Sequence, residues 1–320
     1  MKKIGIICGG FSSEFEISIK SALVILEHFP KNYDPILIEV NKEAWVAKTA
    51  NGNMPFDLNT MTYGPGLKMD AAIVYIHGNP GENGKIQALL DMKQIPYVNS
   101  GVLASALSFD KYYCNQYLNN FKIPVAKSLF FNPNNLQSEA EIINYLGLPL
   151  FVKPSDSGSS YGISKVKVAS ELNQAIQAAF QEGETIVLES FLKGTEVTCG
   201  VYRTRNGIKA LPLTEIQTEE DFFNYDAKYL GKSREITPAQ IEDELRDEVQ
   251  RTAIKIYEIL GLKSIARIDF MIVDRIPHVI EVNTTPGFSA ASIVPQMIKA
   301  DGGNITDFWA EILSVELENR

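Results

Sequence analysis

Residues Ile265 to Gly287 read IARIDFMIVDRIPHVIEVNTTPG. The pattern predicts two short strands, Ile265–Val273 and His278–Asn283, around a tight turn at Asp274-Arg275-Ile276-Pro277. With the pairing centred on Arg275, Arg267 lies opposite Asn283, Asp269 opposite Glu281, and Met271 opposite Val279. Strand side chains alternate between faces, so Arg267, Asp269, Glu281 and Asn283 share one face. The other face holds Ile268, Phe270, Ile272, His278, Ile280 and Val282, nearly all core material. Two carboxylates set directly opposite each other destabilise a sheet, and a chain that keeps them usually places a cation between them. Asp, Glu and Asn offer only hard oxygen ligands, which suits Mg²⁺ rather than Zn²⁺. Arg267 beside them points to an anionic substrate. The alternative is a solvent-facing hairpin of mixed charge, and this stretch alone leaves both open.

The rest of the chain bounds the answer. Its 320 residues are enough for two or three domains, and 45% hydrophobic with 22% charged residues is the balance of a globular protein. A net charge of -9 argues against a nucleic-acid surface or an anionic membrane as partner. Cys8, Cys114 and Cys199 form no CxxC pair and no disulfide framework, so a reducing, cytoplasmic setting is expected. No apolar run approaches membrane-spanning length.

The opening reads as strand Lys3–Cys8, a Gly-Gly turn, and helix Ser13–Phe29, with Ser13 and Glu16 fitting a capping box. Strand Pro35–Val40 follows, giving a Rossmann-like half without GxGxxG. Strand Ala71–Ile76 ends in HGNPGENGK. That run fails as a P-loop because Asn79 stands where the first glycine belongs and Ile86 where Ser or Thr must be. A short helix Gln87–Lys93 and strand Ile95–Val98 close a first domain, 1–98. A helix Ser108–Asn120, strands and helices to Glu189, and the loop PSDSGSSYG then make an α+β unit, 99–189. The remainder, 190–320, holds strands Glu196–Arg203 and Gly207–Leu213 and a long polar connection Thr214–Thr237. Helix Ala239–Leu260 ends at Gly261, and the hairpin and a terminal helix Ile305–Leu317 follow.

Several stretches carry chemistry. The backbone and hydroxyls of PSDSGSSYG (Pro154–Gly162) suit phosphate oxygens, with Lys153 just before them; a plain hairpin loop reads equally well. VLESFLKGTE (Val187–Glu196) suits an adenine and ribose pocket, or simply packing. YDAKYLGK (Tyr225–Lys232) sets Lys228 and Tyr229 in the long connection. Glu14 lies at a helix start, where acids are common, and His77 ends a strand.

The order of these motifs is more specific than any one of them. GGFSSEFEIS, IHGNPGENG, SALSFDKYYC, VKPSDSGSSYGIS, VLESFLKGTEVT, YDAKY, ARIDF and IEVNTTPG follow one another as in the D-alanine–D-alanine ligases of the ATP-grasp superfamily, and the resemblance spans nearly the whole chain. It implies an α/β and α+β architecture: a Rossmann-like N-terminal domain and two α+β domains of the ATP-grasp fold enclosing the nucleotide. It also implies ATP-dependent joining of two D-alanines through an acyl phosphate, for peptidoglycan precursors, by a cytoplasmic homodimer using two Mg²⁺ or Mn²⁺ ions.

By the same resemblance Asp269, Glu281 and Asn283 match metal ligands, and Arg267 with the Gly287 N–H matches the oxyanion site. Lys111, Lys153 and Lys228 match phosphate contacts, beside Ser159 and Ser160. Glu189, Phe191, Leu192 and Glu196 match the adenine and ribose pocket, with Phe222 and Phe270 as apolar walls. Glu14 resembles the glutamate that receives the first substrate's ammonium group, and His77 the histidine near its carboxylate. Ser292 and Ile293 match the second substrate's carboxylate site. Tyr229 matches a lid tyrosine that reaches towards Glu14 and Ser159, and ligases that accept D-lactate tend to carry Phe there. The chain departs from the family pattern at Phe15, Asn83, Tyr161 and Asp226, none of them a metal ligand or a phosphate lysine. A related ATP-grasp enzyme that makes a depsipeptide with D-lactate or another dipeptide, and an inactive nucleotide-binding or regulatory module, are the competing readings.

Overall fold

A computed structural model describes residues 1–135, 137–158, 162–218 and 233–317. Ser159, Ser160, Tyr161, Phe222, Asp226, Lys228 and Tyr229 lie outside the described residues.

Three sheets organise the chain. The first has seven strands in the order Leu67–Lys68, Thr62–Tyr63, Gly52–Asp57, Trp45–Thr49, Tyr33–Val40, Lys2–Gly9 and Ala71–Val74. Lys2–Gly9 runs parallel to both its neighbours. Ile4, Ile6, Ile7 and Cys8 are all buried, as a central strand covered on both faces requires. The antiparallel extension over 45–68 was not anticipated from the sequence. Ile95–Val98 is no strand; only Tyr97 bridges, to Ala72.

The first helix is Phe15–Glu27, and the Ser13–Glu16 capping box does not form. Ser12 takes that place: its hydroxyl accepts the Glu14 N–H at 3.3 Å and donates to the His77 carbonyl at 2.9 Å. The turn is thereby tied to the end of another strand rather than to its own helix.

The second sheet is antiparallel, in the order Ser164–Val166, Leu150–Pro154, Ile186–Ser190, Ser128–Phe131. Helices Glu139–Leu146 and Leu172–Glu182 supply Ile142, Leu146, Leu172, Ala175 and Ala179 to its core.

The third sheet runs Ser233–Ile236, Thr214–Thr218, Thr195–Thr204, Ile265–Val273, Ile276–Asn283, with Gly207–Ala210 paired to Thr195–Thr204. The connection Thr214–Thr237 thus begins and ends in paired strands. Its polar side chains hid them, because Glu215 and Gln217 face a cavity rather than a core. Helix Asp243–Ile259 starts four residues later than expected and packs Val249, Ala253, Ile256 and Tyr257 on this sheet; Gly261, at φ +62°, ends it.

The expected helix Ser108–Asn120 is two helices, Val102–Phe109 and Lys111–Asn120. Asp110 between them is extended, and its carboxylate accepts the Tyr113 N–H at 3.0 Å and the Ser155 hydroxyl at 2.6 Å. No helix among the described residues is long and apolar enough to cross a membrane.

Candidate active site

The hairpin sits where the three sheets converge, and its register decides what it can do. Asp274 and Arg275, at φ +47° and +66°, form a two-residue turn with Val273 opposite Ile276. Left unbroken, that turn would set Asp269 opposite Ile280 and turn Glu281 towards the core. A bulge intervenes between Asp269 and Phe270, so Arg267 does pair with Asn283 and Asp269 with Glu281. Beyond the bulge the expected pairs fail. Met271 lies opposite His278, not Val279, and the buried face is Ile268, Phe270, Ile272, Pro277, Val279 and Val282. His278 and Ile280 are not part of it.

Arg267 forks Asp269 through Nε and Nη2, both at 2.8 Å. The Thr198 hydroxyl donates to Asp269 at 2.5 Å and the Asn283 amide at 3.2 Å. Glu281 pairs with Lys111 Nζ at 3.1 Å, and the same Nζ donates to the Ser157 carbonyl at 2.5 Å. Burial alone would lower the Lys111 pKa, but Glu281 beside it holds it above the usual lysine value.

Two cavities flank this face. One, about 490 Å³, is bordered by Lys111, Lys153, Glu189, Phe191, Leu192 and Glu196, and by Asp269, Met271 and Glu281. Lys153 pairs with Glu189 at 2.7 Å, and Lys165 lies 4.0 Å from the centre of the Phe191 ring. The other, about 270 Å³, is bordered by Glu14, His77, Glu82, Arg267, Glu281 and Asn283, and by Gly287, Ser292 and Ile293. Glu281 borders both. Gly78 and Gly158 close in on Glu14: a Cβ at either would meet Glu14 Oε2, at 3.2 Å and 2.5 Å.

The family model described as D-ala D-ala ligase C-terminus matches residues 117–314. A D-alanine–D-alanine ligase of Parabacteroides distasonis is 42% identical over 325 residues, covering 100% of this chain and 98% of that one. The chain belongs to the D-alanine–D-alanine ligase family. Among solved structures, the VanG D-Ala:D-Ser ligase of Enterococcus faecalis superposes with a TM-score of 0.89 at 30% identity, covering 99% of both chains. A Bacillus anthracis D-alanine–D-alanine ligase complexed with ATP superposes at 0.82 with 28% identity, covering 100% of this chain and 98% of that one. The architecture is therefore the ATP-grasp fold.

Within this ligase fold, most of the residues picked from the sequence come together at the two cavities. Phe270 does not: it is fully buried on the opposite face of its strand, and Met271 borders the cavity of about 490 Å³ instead. Alternation explains this, since Asp269 and its neighbour cannot face the same way. Sequence reasoning missed Thr198, Glu82 and Ser21. Thr198 and Ser21 act through partners 71 and 56 residues away, which no local pattern marks. Glu82 stood in plain view in HGNPGENG. Burial, then Glu14 nearby, pushes its carboxyl up to about 8. Burial likewise pushes the Cys8 and Cys114 thiols up to about 12, so neither is a nucleophile at neutral pH.

Proposed function

We propose that this chain condenses two D-alanines to D-alanyl-D-alanine while converting ATP to ADP and phosphate. The observation that carries the reading is the position of Glu281, on the wall common to a cavity rich in lysines and one rich in carboxylate and hydroxyl groups. A carboxylate is a poor electrophile, and activating it requires phosphate and carboxylate to meet at one wall.

The first D-alanine enters beside Glu14, which accepts its ammonium group, with His77 near its carboxylate. A carboxylate oxygen attacks the γ-phosphorus, the bond to ADP breaks, and an acyl phosphate forms. Lys111 and Lys153 hold the transferring phosphates, together with Ser159, Ser160 and Lys228. Glu189, Phe191, Leu192 and Glu196 take the adenosine, with Phe222 as a further apolar wall. The second D-alanine, held by Ser292 and Ile293, attacks the acyl carbon through its neutral amine. Arg267 and the Gly287 N–H stabilise the oxyanion, and phosphate leaves. Tyr229 closes over the site and excludes water, which would hydrolyse the acyl phosphate.

Asp269, Glu281 and Asn283 suit Mg²⁺ or Mn²⁺ as a hard-oxygen set. Among the described residues no cluster of three His, Cys, Asp or Glu side chains forms a complete protein cage. Two carboxylates and an amide, completed by phosphate oxygens, are how such ions are commonly held beside nucleotides. When bound, the ions screen the charge that develops on the phosphates.

The test is phosphate release from ATP with and without D-alanine, paired with mass detection of the dipeptide. D-alanine-dependent release with dipeptide formation is expected. Release that ignores D-alanine would overturn the reading. The cytoplasmic homodimer implied by the family is part of the same proposal and is checked by light scattering.

A further inference from the structure

The turn Thr285–Phe288, which carries Gly287, is anchored from the N-terminal domain at three backbone groups. The Tyr75 hydroxyl donates to the Pro286 carbonyl at 2.8 Å. The Phe288 N–H donates to Ser21 Oγ at 3.1 Å. The His77 ring meets the Thr285 backbone on one side and Ser21 Oγ, through Nε2 at 3.2 Å, on the other. Ser21 is fully buried on helix Phe15–Glu27, and His77 and Thr285 are nearly so.

The Thr285 backbone favours the protonated ring, as a carbonyl accepting a ring N–H does, and this gives the chain its assigned direction. A backbone N–H only donates, so Ser21 Oγ accepts from Phe288. The single hydroxyl proton of Ser21 is then available for His77 Nε2. With Nε2 accepting it, the ring proton is assigned to Nδ1, towards the Thr285 backbone. The hydrogen bonds run in one sense: Phe288 N–H to Ser21, Ser21 O–H to His77, His77 Nδ1–H to Thr285. They begin and end on the two residues that bracket Pro286-Gly287. Both ring nitrogens of His77 are engaged by the protein, so the ring borders the substrate cavity without a spare N–H.

We propose that Ser21 is a positioning residue of the ligase reaction, acting through His77 to fix the turn that aims the Gly287 N–H at the reacting carbonyl. This rests on the reading given under the proposed function, because only an acyl-transfer centre needs that N–H. Such donors lose their value when displaced: a misplacement on the order of 1 Å costs up to about a hundredfold in rate.

The test uses the full chain and two independent readouts. The first is ¹⁵N NMR of protein labelled at its 3 histidines, recorded without substrate. One histidine, assigned to position 77 by loss of its signal in His77→Asn, should show the neutral Nδ1–H tautomer at pH 7. In Ser21→Ala that signal should change while those of His28 and His278 stay. An Nε2–H tautomer or an imidazolium in the unsubstituted protein would overturn the proposal. The second is steady-state kinetics. Ser21→Ala should lower kcat by roughly tenfold to a hundredfold and leave KM for ATP within about twofold. Ser21→Thr, which keeps the hydroxyl, should recover most of the rate, with thermal melting used to confirm folding. An unchanged kcat in a folded Ser21→Ala protein would also overturn it. If instead the unsubstituted chain shows no D-alanine-dependent turnover, the functional reading fails, and the histidine spectrum still reports whether the hydrogen-bonded chain exists.

Discussion

Asp269 is held from three sides by protein groups: the Arg267 fork, the Thr198 hydroxyl and the Asn283 amide. Such outer partners fix the direction of a carboxylate's lone pairs. Thr198→Val should therefore raise the Mg²⁺ concentration needed for half-maximal turnover by roughly ten- to a hundredfold without changing the circular dichroism spectrum. Glu281 is the harsher case, because it borders both cavities. Glu281→Gln keeps the size of the side chain, yet turnover should fall by about a hundredfold or more; a near-normal rate in single-turnover assays would remove it from the proposed metal ligands. Glu82 predicts a pH effect. Its carboxyl is pushed from 4.5 up to about 8, chiefly by burial. Between those values the folded chain holds a proton that the unfolded chain has released. The stability from this group is complete below pH 4.5 and is lost as pH rises towards about 8. Glu82→Gln stays neutral and keeps an oxygen for the Gly78 N–H, which Glu82 accepts at 2.8 Å. Urea midpoints should fall with rising pH more steeply for the unsubstituted protein than for this variant, and parallel slopes would contradict the assignment.

At the scale of elements, Asp110 joins two jobs. It caps helix Lys111–Asn120 and accepts the Ser155 hydroxyl, while the Lys111 N–H donates to the Ser155 carbonyl at 2.8 Å. Asp110→Ala should cost about 1 kcal/mol as a lost cap and, unlike an ordinary cap, should raise KM for ATP. A stability loss with an unchanged KM would show that the tether to the loop proposed to hold phosphate is idle. The sequence pattern runs one helix through this position, since a lone Asp inside a polar pattern signals no break; the break is imposed by Ser155, 45 residues away. The hairpin was legible for a related reason in reverse. Alternation and like-charge pairing named Asp269 and Glu281 correctly, but from a turn one residue out of place, and the bulge near Ile280 restored the pairing. Helix Ile305–Leu317, whose apolar residues follow the helical period, was legible from its first residue to the last described one. The capping box at Ser13 was not real, because a better partner for that turn arrived from His77 through Ser12. Local patterns thus located elements and the face on which Asp269 and Glu281 pair, whereas the misplaced helix boundaries near Ser13 and Asp110 were set by contacts from distant segments.

Across the whole molecule, the N-terminal sheet and the terminal helix share one core. Trp309, fully buried, packs against Tyr75 with ring centres 6.0 Å apart and against Phe288 at 5.2 Å. Those two rings belong to the group that holds the Gly287 turn, since Tyr75 also binds the Pro286 carbonyl. A substitution at Trp309 therefore reaches the site without touching it. Trp309→Ala should cost about 3–5 kcal/mol and should also lower kcat at temperatures well below melting, because the turn loses its backing. The indole Nε1 has no hydrogen-bond partner among the described residues. Trp309→Phe removes no hydrogen bond and keeps an aromatic face, so its cost should be well under half that of the alanine variant, with kcat nearly retained. Denaturant unfolding and steady-state rates on both variants separate the two effects. Loss of stability in Trp309→Ala with an unchanged kcat would mean that the shared core supports the fold but not the alignment of the turn.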